Sequence, residues 1–306
     1  MKRYSGISLL ILLFLISCSS APKRIMLVTE NSDLAYSQLE SANTSIIEGK
    51  YDRAYTLLSS AHNLALSVDN TELLCKIVLS GVVFKISCPT FSVFLPAAGL
   101  EHTAVSKSFL AQSKEELLDY AKKLANRTDS KQSETLRHLC TIYDVRVQLE
   151  NEKSASEETI SAQSAKNYVA LLEQAVSYIE KEPYYLAYFY RTRGDVFMAS
   201  GNYGEAQKNY EESAKIHTKE RYLVEIGLDW YCVARSYSLN EKKQNAIEAI
   251  KLALKYDKDA ENTQGIASDY LAYSKILCKG TPSEEEKMLS EELAAWSEKI
   301  LNSLAH

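Results

Sequence analysis

Glycine and proline are scarce in this 306-residue chain, ten and five respectively. Proline breaks helices by removing an N–H donor and clashing with the preceding turn, and glycine by its conformational freedom. Their scarcity beside plentiful Ala, Leu, Glu, Lys and Ser leaves little for a turn-rich β fold and predicts an all-α chain. Histidines are few: His62, His102, His138, His217 and His306. No two are four apart and no HExxH occurs, which removes the usual zinc-hydrolase pattern. GxSxG, the P-loop and the dinucleotide glycine pattern are missing too. No catalytic set, metal site or cofactor is therefore expected, and the chain does not read as an enzyme. His62, His138 and His217 fall in predicted helices and read as surface or core-edge residues. Tyr184, Tyr185, Tyr188 and Tyr190 read as helix-packing residues. The acidic run SEEEK (283–287) reads as a helix start, with Ser283 as N-cap and Glu284–Glu286 at the positive end of the helix dipole. An excess of basic charge is also lacking. The net charge is −5, which argues against a nucleic-acid partner.

Long apolar runs are absent with one exception. MKRYSGISLLILLFLIS has a basic start, Lys2 and Arg3, and an apolar stretch from Ile7 to Ile16. That stretch is short for a bilayer span but fits the apolar region of a secretory signal peptide. It ends in LISC, Leu15 to Cys18, which resembles the bacterial lipobox. The resemblance implies cleavage before Cys18 and acylation of its thiol (palmitate-type lipidation). Two or more acyl chains would hold the protein on a membrane surface. Removing residues 1–17 takes Lys2 and Arg3 with it and moves the net charge from −5 to −7. Residues 18–32 then read as lipidated Cys and tether, and 33–306 as the helical domain. With Cys18 set aside, Cys75, Cys88, Cys140, Cys232 and Cys278 remain, with no CxxC among them. They read either as small buried hydrophobes or as containing one disulfide, for which Cys75–Cys88 is the nearest pair in sequence.

The rest of the chain is repetitive. Around GDVFMASGNYGEAQKNYEESA (194–214), a shift of forty residues places Gly194 on Ala234, Phe197 on Tyr237, Ala206 on Ala246 and Tyr190 on Trp230. A further shift carries Trp230 to Tyr270. GKYDRAYTLL (49–58) matches GNYGEAQKNY (201–210) at Gly49/Gly201, Tyr51/Tyr203 and Ala54/Ala206. Aromatic and small residues three and four apart share one helical face, so small residues let two antiparallel helices approach while aromatics fill the gaps. Such a pair buries its apolar face only against stacked neighbours. This predicts an α-solenoid of about six antiparallel helix pairs: 33–48/51–68, 71–87/113–127, 131–151/157–180, 184–200/203–218, 221–239/242–257 and 262–279/283–303. The segment 85–106, with two prolines and clustered Phe, reads as a long excursion that either serves function or covers an exposed end of the core.

Tyr190, Gly194, Phe197, Gly201-Asn202-Tyr203, Ala206 and Tyr210 together resemble a tetratricopeptide repeat. The period here is near forty, longer than usual, Arg193 stands where the family has Leu, and Thr218 replaces the closing Pro. The resemblance implies a superhelix whose first helix of each pair lines a concave groove. Carried over repeat by repeat, the groove positions are Tyr188, Arg191, Asp195 and Met198; then Leu228, Tyr231, Arg235 and Ser238; then Ser268, Leu271, Lys275 and Cys278. Arg191, Arg235 and Lys275 would form a cationic stripe beside Tyr188 and Tyr231, suited to carboxylates. Alternatively these charges are solvated, or paired with Asp195 and Asp229. Two functions follow as expectations. One is an exported scaffold, lipid-anchored in the cell envelope and facing the periplasm from the outer membrane, that binds a protein or peptide partner in its groove. The other is an accessory lipoprotein that partners a transporter's periplasmic solute-binding protein and passes it a small organic acid.

Overall fold

The computed structural model describes residues 29–89, 108–127, 131–155 and 159–304. The expected signal peptide (1–17), Cys18 and most of the 85–106 excursion lie outside the described residues. Among those residues there are twelve α-helices and no strand: α1 (Glu30–Ile47), α2 (Tyr51–Ser67), α3 (Thr71–Ser87), α4 (Lys114–Arg127), α5 (Lys131–Ala155), α6 (Ala162–Ile179), α7 (Pro183–Ala199), α8 (Tyr203–Glu220), α9 (Leu223–Leu239), α10 (Lys243–Asp259), α11 (Thr263–Leu277) and α12 (Glu284–Leu304). From α2 onward each packs on the next, and α3 on α5, α5 on α7 and α9 on α11 also touch. The described residues form an α-solenoid of consecutive adjacent helices.

The turns explain the regularity. Gly49, Asp69, Gly201, Arg221, Glu241 and Glu261 all have positive φ, between 50° and 76°. Within each run they are twenty residues apart. After each, the next amide returns to the carbonyl five residues earlier, as in Asn202 N to Phe197 O at 2.8 Å and Lys242 N to Tyr237 O at 2.9 Å. This is the Schellman closure, which satisfies the last carbonyls of a helix and reverses the chain. The forty-residue repeat is thus two equal helix-plus-turn halves. At the last pair, Ser283 and Glu286 form a reciprocal capping box, Glu286 N to Ser283 Oγ at 3.1 Å and Ser283 N to Glu286 Oε2 at 2.9 Å.

Close helix approach follows from the small residues. A Cβ on Gly194 would lie 2.6 Å from the Tyr210 ring, and Ala206 and Ala246 are fully buried. α3 is buried on all sides, at ten consecutive residues from Leu73 to Val82, so it forms the middle of the N-terminal core. Beyond the excursion, a short 3-10 turn, Phe109–Ala111, docks back on it. Phe109 stacks on His62 at 4.3 Å, and a Cβ on Gly81 would touch Phe109 and Leu110.

Cys75, Cys88, Cys140, Cys232 and Cys278 are free thiols, so the Cys75–Cys88 pairing is not formed. Cys75 lies on α3 and Cys88 caps its C-terminus, so a rise of about 1.5 Å per residue separates them by roughly 20 Å, far beyond disulfide reach. Cys75 is instead a buried core residue whose thiol donates to the Ala121 carbonyl.

Candidate functional site

The first helix of each C-terminal pair carries the groove positions expected from the register. α9 and α11 bring Tyr231, Arg235, Ser238, Ser268, Leu271 and Lys275 together around an open cleft of about 420 Å³. Lys279, one turn beyond Lys275, joins them. Toward α7 the cleft runs into a second cavity of about 400 Å³ that shares Arg235 and Leu239 and adds Asp195, Met198 and Lys153. Toward the α11–α12 turn it runs into a third that shares Ser238 and Lys279 and adds Lys243. Among the described residues no carboxylate lies at ion-pair distance from Lys275 or Lys279, although Lys279 Nζ donates to the Ser238 carbonyl at 2.7 Å. Tyr231 is half-buried, and burial raises its phenol pKa.

The α7 part of the stripe is used differently. Arg191 Nε donates to Asp229 Oδ1 at 2.8 Å, and its terminal nitrogen donates to the Glu225 carbonyl at 3.2 Å. Asp229 is fully buried; its other oxygen takes Ser213 Oγ at 2.9 Å and His217 Nδ1 at 2.6 Å. Arg191 therefore ties α7 to α9. Asp195 is held by Arg146 of α5 and by the Tyr210 hydroxyl, the latter at 2.6 Å. Burial opposes the Arg146 charge, and Asp195 together with Tyr188, Glu150 and Tyr210 more than offsets this, so its pKa is raised. The Tyr188 ring stacks on Tyr143 at 4.7 Å, and its hydroxyl is buried without a partner. Of the expected stripe, then, Arg235, Lys275 and Tyr231 share one cleft, Asp195 borders its neighbour, and Arg191 and Tyr188 are engaged in packing between helices. Cys278, the last expected groove position, is exposed, with its thiol 3.1 Å from Ser290 Oγ.

Sequence reasoning missed Lys279, Lys243, Lys153 and Arg146. Lys279 had a signal, because it follows Lys275 by four and shares its face. Arg146 had none: α5 carries no copy of the aromatic and glycine pattern that sets the register elsewhere. No family model matches the chain, and no curated protein matches it.

Proposed function

We propose that the protein is an exported scaffold of the tetratricopeptide-repeat kind, tethered to a bacterial membrane through lipid on Cys18, whose cleft receives an acidic stretch of a protein or peptide partner. The observation that carries this reading is the convergence of Arg235, Lys275 and Lys279 on one solvent-open cleft in a chain of net charge −5. Local positive charge on an acidic protein selects carboxylate-bearing partners and repels like surfaces. Tyr231 and Leu271 supply apolar area beside those charges. The cleft also falls in the size range of small-molecule sites, about 300–1,000 Å³. That supports the second reading, in which a small organic acid is passed to a periplasmic solute-binding protein.

The test uses the full chain in detergent and a fluorescent Glu/Asp-rich peptide. Replacing Arg235 and Lys275 together with Ala is expected to weaken binding roughly 100-fold or more, since each charge-assisted contact contributes about 1.5–3 kcal/mol. Binding should also weaken with added salt. Unchanged affinity in the double variant overturns the reading. Displacement of the peptide by a free dicarboxylate at comparable concentration moves the choice to the small acid.

A further inference from the structure

The solenoid contains its own control experiment. At the α7–α8–α9 junction Asp229 is saturated with donors: Arg191, His217 and Ser213 all contact it. Forty residues later, at the α9–α10–α11 junction, Asp269 takes the place of Asp229, and every partner has changed. Tyr231 stands for Arg191, Asp257 for His217 and Ala253 for Ser213. The guanidinium is gone, and the imidazole has become a second acid.

Both carboxylates are buried, Asp269 at 1% and Asp257 at 3% exposure. Asp257 accepts from Asn262 Nδ2 at 2.9 Å, while Asp269 Oδ2 has no hydrogen-bond partner. The two acids line a cavity of about 200 Å³ with Tyr231, Asn262 and Ser268. Glycines make room for the Asp257 carboxylate at its rim. A Cβ on Gly227 or on Gly265 would overlap the Asp257 carboxylate, and Gly265 stands where the preceding repeat carries Glu225. Burial raises both carboxyl pKa values; the charge of Asp257 and a hydrogen bond to it add to the rise at Asp269, while that bond and the one from Asn262 offset part of the rise at Asp257.

The geometry points to a guanidinium-binding site: the cavity takes an arginine-type cation from outside the chain, seated on Asp269 and Asp257 against Tyr231, where the preceding repeat supplies Arg191 from within. A planar fork of N–H donors meets two carboxylates better than a point charge does, and it can stack on a tyrosine face. The donor set does not suit a divalent metal, which needs six or more oxygens in the case of calcium. Asn262 is committed at both ends, its amide nitrogen to Asp257 and its oxygen to the Gly265 amide at 3.2 Å. This proposal does not rest on the acidic-peptide reading, because Arg235 and Lys275 take no part in it.

Calorimetry on the full chain in detergent tests it with two guanidine probes, agmatine and a short arginine-containing peptide, with the lysine peptide as reference. At least one guanidine probe is expected to bind the wild-type chain, more tightly than the lysine peptide. Asp269→Asn should weaken that binding roughly tenfold or more. Tyr231→Arg, which restores the guanidinium in cis, should abolish it and raise Tm. Tighter agmatine binding identifies a free small molecule as the source; tighter peptide binding identifies a partner's side chain. The proposal is overturned if neither probe binds, if binding survives both substitutions, or if calcium binds in an Asp269-dependent way while both guanidines do not. Loss of acidic-peptide binding in the Arg235/Lys275 variant with guanidine binding intact separates the two sites.

Discussion

Asp229 and Asp269 occupy the same place in successive repeats, yet their surroundings give them opposite effects on stability. Asp229 has Arg191 as its cationic partner, so truncating Arg191 leaves a buried carboxylate held only by Ser213 and His217. Arg191→Ala is expected to destabilise the fold by about 3 kcal/mol or more, as for other broken buried pairs, whereas Arg235→Ala on the exposed cleft face should change it by less than about 1 kcal/mol. Urea melts of the two variants read the difference directly. Asp269 has an acid for a neighbour. Its carboxyl and that of Asp257 hold protons to higher pH in the folded chain than in the unfolded one, because of burial and, for Asp269, its neighbour's charge. The folded state binds more protons in that interval, so the pair's contribution is fully present below the unfolded carboxylate value of about 4 and is lost as pH rises through the folded values. Asp269→Asn should therefore melt higher than wild type at pH 8, by on the order of 1–3 kcal/mol. The gap should close toward pH 4. A constant difference across that range contradicts the account.

At the scale of helices, the twenty-residue spacing of left-handed turn residues places a cost where glycine is missing. An L-residue in that conformation costs roughly 1–2 kcal/mol, and glycine returns about 0.5–1 kcal/mol of this through its unfolded-state freedom. Glu241 has a φ of 59° and is exposed. Glu241→Gly is accordingly expected to stabilise the α9–α10 hairpin by about 0.5–1 kcal/mol, measured as a higher denaturation midpoint; a loss would show that its side chain contributes contacts. Most helix limits were legible because the signals are local: Gly49 and Gly201 mark turns, Ser283 with Glu286 marks a start, and the aromatic and small residues mark the buried face. The cleft residues Tyr231, Arg235, Ser268 and Lys275 were reached through the groove positions that the tetratricopeptide resemblance implies, placed by the repeat register. The fate of Arg191 was legible only as one alternative, pairing with Asp229, which the structure shows. Its partner Asp229 lies 38 residues on and becomes a neighbour only once successive pairs are stacked. Arg146 was illegible for the same reason, reaching Asp195 from a helix without the repeat pattern. The Cys75–Cys88 pairing failed on helix rise, which sequence proximity hides.

At the scale of the whole molecule, the solenoid is an array in which each helix leans on its chain neighbours. No described helix is long and apolar enough to cross a membrane; the proposed attachment is through lipid at Cys18. Cys18→Ser is expected to abolish incorporation of a fatty-acid probe and to leave the helical circular-dichroism signal unchanged. Labelling that persists in the variant would remove the lipoprotein reading while leaving the cleft intact. Both sites lie toward the C-terminal end, where the repeats are most regular. The N-terminal core around α3 is instead buried on every side of that helix and is shaped as support.

The half-period of twenty has a consequence for how such a chain can grow. A duplicated block of forty residues, such as 203–242, returns each later helix to its former role: cleft-lining helices stay cleft-lining, and supporting helices stay in support. An inserted block of twenty also keeps every turn in place but exchanges the two roles downstream, turning Arg235 and Lys275 away from the cleft. The chain therefore has a reading frame of its own, written in helices. Length in this architecture changes by whole frames, and each new frame brings another aspartate at the place of Asp229 and Asp269, to be matched from within or left to be matched from outside.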